Sequence, residues 1–286
     1  LKQEISYLSM AASIHRLTEP AIRSAIGALS LPTGSRGLDA GCGVGDHTLW
    51  LAEAVSPGGH VTGIDISGEC VSRAKNASRA ADMEESVYFQ CADLKNLPFD
   101  DDVFDWAWSA DTLWIGPKSS GLPAVDPSPI LSELVRVVRP GGIVALLFWS
   151  SQKMLPGYPL LEARLNATGA ANFPYADDTA PEMHVMRALG WLRAAGLKEC
   201  KVCTFVADSQ APLNHMVLEA LTASFQMLWG NAQSELTSGE FAQFQRLCLP
   251  DSPDFILNLP DYYAFITYTL FYGWAPGRNN GLHLLR

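Results

Sequence analysis

Apolar positions recur with two periods along this chain, and the period switches repeatedly. Runs of strand length at 36–40, 60–65, 86–91, 103–109 and 143–149 alternate with segments of helical spacing at 46–54, 68–81 and 129–138. In the last of these, Ile130, Leu131, Leu134, Val135 and Val138 recur by three and four. Residues 3–30 read as helix interrupted at Pro20, and Pro140-Gly141-Gly142 reads as a turn. Strands alternating with helices imply crossover units and a mostly parallel sheet with helices on both faces. After Trp149 the rhythm changes. Residues 150–182, rich in Pro, Gly, Ala and Asp, read as an irregular insertion. A helix at 184–195, a strand at 198–207, two helices within 212–248 and a long aromatic strand at 262–274 follow. Neither insertion has the pattern of an independent core. The expectation is one domain over 1–286, with a core at about 30–150 and lid-like insertions at about 150–182 and 212–258.

Composition narrows the class. Hydrophobic residues make up 48% and charged residues 17%, a globular balance. The formal net charge of −10 argues against a nucleic-acid backbone as the main partner, because phosphate binding needs a basic face. The longest apolar-aromatic stretch, 262–275, is shorter than the roughly 20 residues of a membrane helix, and no charged start followed by an apolar run marks a signal peptide. Six scattered cysteines in a chain of this size point to a reducing, cytoplasmic setting. Cys200 and Cys203 form the only C-x-x-C; no second pair completes a metal site, so no metal is expected.

The chemistry concentrates at Gly37-Leu38-Asp39-Ala40-Gly41-Cys42-Gly43-Val44-Gly45-Asp46-His47-Thr48, which follows a strand and opens a helix. Glycines there let the backbone approach a ligand and leave amide N–H groups free. A dinucleotide fingerprint needs G-x-G-x-x-G, but the sixth position is Asp46 counted from Gly41 and Thr48 counted from Gly43. An acid at that turn would also repel a pyrophosphate. No Gly-Lys-Ser/Thr follows, so a P-loop is excluded. Asp65, at the end of the second strand, can accept both hydroxyls of a ribose. Asp93, after the third, can accept from an exocyclic amine. Asp39 could instead serve as a cap, and Asp65 and Asp93 as turn residues; their joint placement around the glycine loop favours a ligand site. Cys42 reads as a small packing residue.

Asp39-Ala-Gly-Cys-Gly-Val-Gly45, Gly63-Ile-Asp65-Ile-Ser67, Cys91-Ala-Asp93-Leu94, Phe104-Asp-Trp106 and Arg139-Pro-Gly-Gly142 resemble, in order and spacing, the successive motifs of class I S-adenosylmethionine-dependent methyltransferases. The likeness covers about residues 35–150 and, within the family, is nearest the small-molecule branch that includes the ubiquinone and menaquinone enzymes. It implies a Rossmann-like α/β fold: a seven-stranded, mostly parallel sheet whose last strand, 262–274, is antiparallel. It implies S-adenosylmethionine as cofactor, with Asp39, Gly41 and Gly43 lining the methionine part, Asp65 on the ribose, and Ile66 packed on the adenine. Ala92, Asp93 and Leu94 would line the ring, Asp93 meeting its amine. Ser109, at the end of the fourth strand, would turn a backbone carbonyl toward the ammonium or sulfonium.

The acceptor should sit beyond the carboxyl ends of the strands, facing the segment from Ser109 to Ile115. Trp106 and Trp108 read as sheet core and Trp114 as a substrate wall, while Asp111 could position a substrate or cap the following segment, the cap being favoured. His15, His47, His184 and His215 are candidate bases; His184, opening a helix after the insertion, could face the cleft. The insertions carry Phe173, Tyr175, Met216, Phe225, Met227, Leu228, Trp229, Phe241 and Phe244, a set suited either to an apolar or aromatic acceptor or to the insertions' own packing. The leading function is methyl transfer to a small organic acceptor. The alternatives are a non-catalytic module that binds S-adenosylmethionine and an NAD-dependent dehydrogenase, which the failed fingerprint disfavours. The aromatic last strand could lie at a sheet edge and pair with another chain.

Overall fold

The computed structural model describes residues 7–114, 126–169, 171 and 180–277. Its centre is a seven-stranded sheet in the order β3-β2-β1-β4-β5-β7-β6. The strands are β1 (Arg36–Ala40), β2 (His60–Asp65), β3 (Val87–Cys91), β4 (Phe104–Ala110), β5 (Val138–Lys153), β6 (Lys198–Gln210) and β7 (Tyr263–Trp274). The first five run parallel to one another, and β7 runs antiparallel to both β5 and β6. This is the seven-stranded, mostly parallel sheet with an antiparallel last strand that the motifs imply.

Helices cover both faces, because the buried central strands leave no polar face for water. On one face α1 (Tyr7–Ala28), α2 (Asp46–Ala54), α3 (Gly68–Ala80) and α7 (His215–Trp229) share a core with Trp106, Trp108, Ala145, Leu147 and Tyr268. On the other, α4 (Ser128–Val137) and α6 (Ala188–Ala194) pack on Leu38, Ala107, Leu146, Phe148 and Phe271. Trp106 and Trp108 are sheet core, as expected. The helix at α1 continues through Pro20, whose neighbours Ala21, Ile22 and Ala25 are fully buried. Among the described residues no helix is long and apolar enough to cross a membrane, and all six cysteines are unpaired.

Three expectations are corrected. Pro140-Gly141-Gly142 lies within β5 as an irregularity in its pairing, where the Gly141 N–H bonds to the Ala275 carbonyl. The aromatic strand β7 is interior to the sheet, and β6 is the edge: Tyr268 and Leu270 face one core while Phe271 faces the other, so both faces of β7 are covered. The segment from residue 150 is not uniformly irregular. β5 continues to Lys153 beside β7, past a bulge at Ser150, and α5 (Pro159–Asn166) follows.

The two insertions pack into the same core as α1. Phe225, Trp229, Phe244 and Leu247 are buried beside Leu161 and Ile22. The Trp229 Nε1–H and the Gln152 Nε2–H both donate to Asn166 Oδ1 at 3.0 Å, joining α7, β5 and α5. Packing therefore claims Phe225, Trp229 and Phe244, which a substrate wall would need exposed. Phe241 and Leu228 are half-buried against the same core, and Met216 and Met227 are exposed. Phe173 and Tyr175 lie outside the described residues.

Candidate active site

The candidate residues converge at the carboxyl ends of β1, β2, β3 and β4. Parallel pairing in register brings the tips together: Ala40 lies beside Ile64, Asp65 beside Cys91, and Asp39 beside Trp108. The glycine loop crosses this edge and turns into α2. Its N–H groups at Gly41 and Cys42 bond to the Ile64 carbonyl at 2.7 and 2.9 Å, so the loop is tied to β2. Gly41 has φ +85, and a side chain there would overlap Thr112, whose hydroxyl donates to the Ala110 and Gly41 carbonyls at 2.9 and 3.2 Å. Only glycine satisfies both the backbone and the space. Gly43 stands over open space.

Asp39 is buried inside β1 and accepts from the Thr48 hydroxyl at 2.6 Å. It is not a helix cap: α2 begins after Gly45, with no side-chain cap bond. Burial pushes its carboxyl pKa up to about 7; the Thr48 bond works against that shift and the Asp65 charge adds to it. Asp65 holds the Gly43 N–H at 2.9 Å through Oδ2 and the Ser67 N–H at 2.8 Å through Oδ1. Ile66 beside it is 74% exposed, an apolar side chain presented to solvent at a strand end. Asp93 is exposed and accepts the Lys95 N–H at 2.9 Å; Ala92 is half-buried and Leu94 buried. Ser109 is one residue short of the end of β4, and its hydroxyl donates to the Ala40 carbonyl at 2.7 Å, fixing the spacing of the β1 and β4 tips. Cys42 is buried packing, as expected.

Asp111 is no helix cap either. Its Oδ1 accepts the Trp149 N–H at 2.9 Å, and Tyr268 hydrogen-bonds to it from β7. It adopts a left-handed backbone (φ +46) to do so, a costly conformation for a side-chain-bearing residue. Burial raises its pKa. Trp114 is half-buried, edge-on to Phe148 at 5.7 Å on the α4–α6 face. The residues beyond it, from Ile115 to 125, lie outside the described set. His184 is exposed, and its Nδ1 accepts the Met186 N–H at 3.2 Å, capping a single helical turn. His215 is exposed beside Glu219.

At the start of α2, directly after the glycine loop, lies a pairing that the sequence did not reveal. His15 on α1 bonds through Nδ1 to Asp46 Oδ2 at 2.9 Å. Its ring lies 5.1 Å from that of His47, which stacks on Trp50 at 5.2 Å and meets Trp108 edge-on at 6.2 Å. Burial, and secondarily the His15 charge, lower the His47 pKa well below its ordinary value, so that ring is neutral. Among the described residues, no group of three or more side chains could hold a metal ion.

The profile of a family described as a methyltransferase domain matches residues 38–146. Relatives include methyltransferase GfsG of Streptomyces halstedii, 34% identical over 41% of this chain and 39% of that one. They also include a demethylmenaquinone methyltransferase of Bacillus cereus, 30% identical over 62% of this chain and 76% of that one. The chain spans half or less of the length of the first several curated relatives it matches. Among solved structures, the YcgJ protein of Bacillus subtilis aligns with a TM-score of 0.53 at 17% identity, covering 90% of this chain and 99% of that one. A phosphoethanolamine N-methyltransferase of Haemonchus contortus aligns at 0.55 and 14% identity, covering 96% and 60%. These two likenesses are of fold.

Proposed function

The chain belongs to the methyltransferase-domain family of S-adenosylmethionine-dependent proteins, and from that premise we propose that it transfers a methyl group from S-adenosylmethionine to a small, apolar or aromatic acceptor by direct displacement. The observation that carries the reading is the set of acceptors at the strand tips. A buried carboxylate (Asp39) and a half-buried one (Asp65) flank a glycine loop that has no basic residue, with an exposed apolar side chain (Ile66) beside them. Such a set matches an ammonium, a ribose diol and a flat base, and it repels phosphate. Asp39 would meet the ammonium with Gly41 and Gly43 beside it, and Asp65 the ribose hydroxyls. Ile66, Ala92 and Leu94 would enclose the base, whose amine reaches Asp93. The Ser109 carbonyl would border the methionine end. When bound, the cofactor supplies an activated methyl group on sulfur. The protein's own task is alignment of the acceptor and exclusion of water; Trp114, steadied by Phe148, would wall the acceptor side. The unpaired thiols fit a reducing, cytoplasmic setting.

The test is transfer of labelled methyl from S-adenosylmethionine to a panel of small hydroxylated aromatics and quinols, read by mass spectrometry. Product is expected with at least one apolar aromatic acceptor. Tight cofactor binding with no product across the panel would favour a non-catalytic binding module.

Asp39 gives this reading a pH signature. In the free folded protein its carboxyl holds a proton below about pH 7. An ammonium favours the charged form, so binding of S-adenosylhomocysteine at pH 6 expels a proton. Affinity then rises with pH, by up to about tenfold per unit, and levels off above about pH 7. Calorimetry in two buffers of different protonation enthalpy counts the proton. Binding at pH 6 without proton release would place the ammonium away from Asp39.

A further inference from the structure

We propose that His15, held by Asp46, is the general base that takes the proton from a hydroxyl acceptor, a phenol or enol, at this site. The inference rests on the cofactor reading above and deepens it by naming the acceptor class.

The argument begins with the tautomer. Asp46 accepts at His15 Nδ1, 2.9 Å away, which places the ring proton on that nitrogen and leaves the Nε2 lone pair available. Among the described residues Nε2 makes no hydrogen bond. The pair joins two elements, α1 and the first turn of α2, so the ring is oriented by residues 31 positions apart. It is also reachable: the side chains of His15 and Asp46 are 25% and 32% exposed.

Location is the second element. Asp46 follows directly on Gly45 of the glycine loop, and the His15 ring stands 5.1 Å from that of His47, which in turn meets Trp108 of β4 edge-on at 6.2 Å, so the pair lies at the exit of that loop beside β4. The loop and the tip of β4 flank the expected methionine end of the cofactor. The ionisable groups placed against the ring are Asp46, at 2.9 Å, and His47, whose ring is 5.1 Å away, both in the first turn of α2.

The third element is independent of the pair. Among the described residues, His47 Nε2 and Trp108 Nε1, both buried, have no hydrogen-bond partner. The His47 ring stands 5.1 Å from that of His15, with Trp108 beyond it at 6.2 Å, so two polar groups are buried beside the pair where apolar residues would be cheaper. His47 stays neutral, so it does not compete for the proton. In the step itself the acceptor's O–H bond breaks, an N–H bond forms at His15 Nε2, and the electron pair stays on oxygen as the nucleophile. Asp46 acts as a positioning residue, through the tautomer.

The test uses 4-nitrophenol as acceptor probe with protein saturated in S-adenosylhomocysteine. Absorbance reports the phenolate, at a pH one unit below the probe's own pKa. The wild type is expected to raise the ionised fraction of bound probe at least threefold over the free compound. His15→Gln and Asp46→Asn are expected to lose that rise while affinity for S-adenosylhomocysteine, by calorimetry, stays within about threefold. Asp46→Asn should also shift the His15 ring nitrogens toward mixed tautomers by nitrogen NMR, which a merely structural role would not do. A wild type that leaves the probe un-ionised, or does not bind it, overturns the proposal. So does a tenfold or greater loss of S-adenosylhomocysteine affinity in His15→Gln, which would make the ring part of the cofactor site. A wild type that fails to bind S-adenosylhomocysteine would instead remove the reading beneath, and is seen separately in the same calorimetry.

Discussion

Replacing Asp65 with alanine is expected to weaken S-adenosylhomocysteine binding by one to two orders of magnitude with little change in thermal stability. The carboxylate sits at the tip of β2, where its two oxygens hold the Gly43 and Ser67 N–H groups at 2.9 and 2.8 Å. One bond sets the glycine loop and the other the start of α3, whose Ser67 caps the Cys70 N–H. A ribose diol would use the lone pairs that remain. Loss of a hydrogen bond to a charged group costs about 1.5–3 kcal/mol, and 1.4 kcal/mol is tenfold in affinity. Alanine removes the ribose contact and the loop's anchor together. The freed N–H groups lie at a half-open edge and can turn to water, so the penalty falls on binding and not on folding. Calorimetric titration with circular dichroism melting checks both halves. An unchanged affinity would place the ribose away from β2.

Gly37→Ala should have the largest effect on stability. Gly37 pairs with Trp106 across β1 and β4, and a methyl group at Gly37 would overlap the Trp106 indole. That indole is 1% exposed, and its Nε1–H donates to the Ser35 hydroxyl at 2.9 Å. It cannot swing away without losing that bond and opening the core under α1. Overpacking costs about 1–3 kcal/mol where neighbours yield, and a rigid buried indole puts this site at the upper end or beyond. At about 2–4 °C per kcal/mol, the expected fall in Tm is about 6–12 °C. Adding Trp106→Leu to Gly37→Ala should recover part of the loss, because the smaller side chain makes room. A single variant that melts like the wild type would contradict the close approach of these strands.

The glycine loop and its acids are legible in the sequence because backbone constraints tie residue type to place. Gly41 must be glycine against Thr112, and Asp65 must end a strand to reach the Gly43 N–H. The sheet is legible for the same kind of reason: buried parallel strands leave short apolar runs between helical repeats. What stays hidden depends on contacts between distant segments. Thr112 meets Gly41 across 71 positions, and His15 meets Asp46 across 31. Asp111 looks like a cap beside its own chain, but its partner is the Trp149 backbone on β5. The aromatic run of β7 suits an exposed edge or a strand covered on both faces, and only the placement of β6 beyond it decides. Phe225, Trp229 and Phe244 show helical spacing whether they line a cleft or fill a core; the α1–α7 packing makes the first two core, and the helix Ser238–Cys248 buries Phe244 in the same cluster. The polar segment from Ser150 to Lys153 extends β5 because β7 offers it a partner, which its own side chains do not announce.

The central claim is that a glycine loop tipped with carboxylates and empty of basic residues takes an adenosyl amino acid and refuses a pyrophosphate. Calorimetric titration of the wild-type protein with S-adenosylhomocysteine and, separately, with NAD tests it most directly. The expected result is saturable binding of S-adenosylhomocysteine near one per chain and no heat of binding with NAD. Binding of NAD without S-adenosylhomocysteine would contradict the assignment of Asp39, Asp65 and Asp93 and return the site to a dinucleotide.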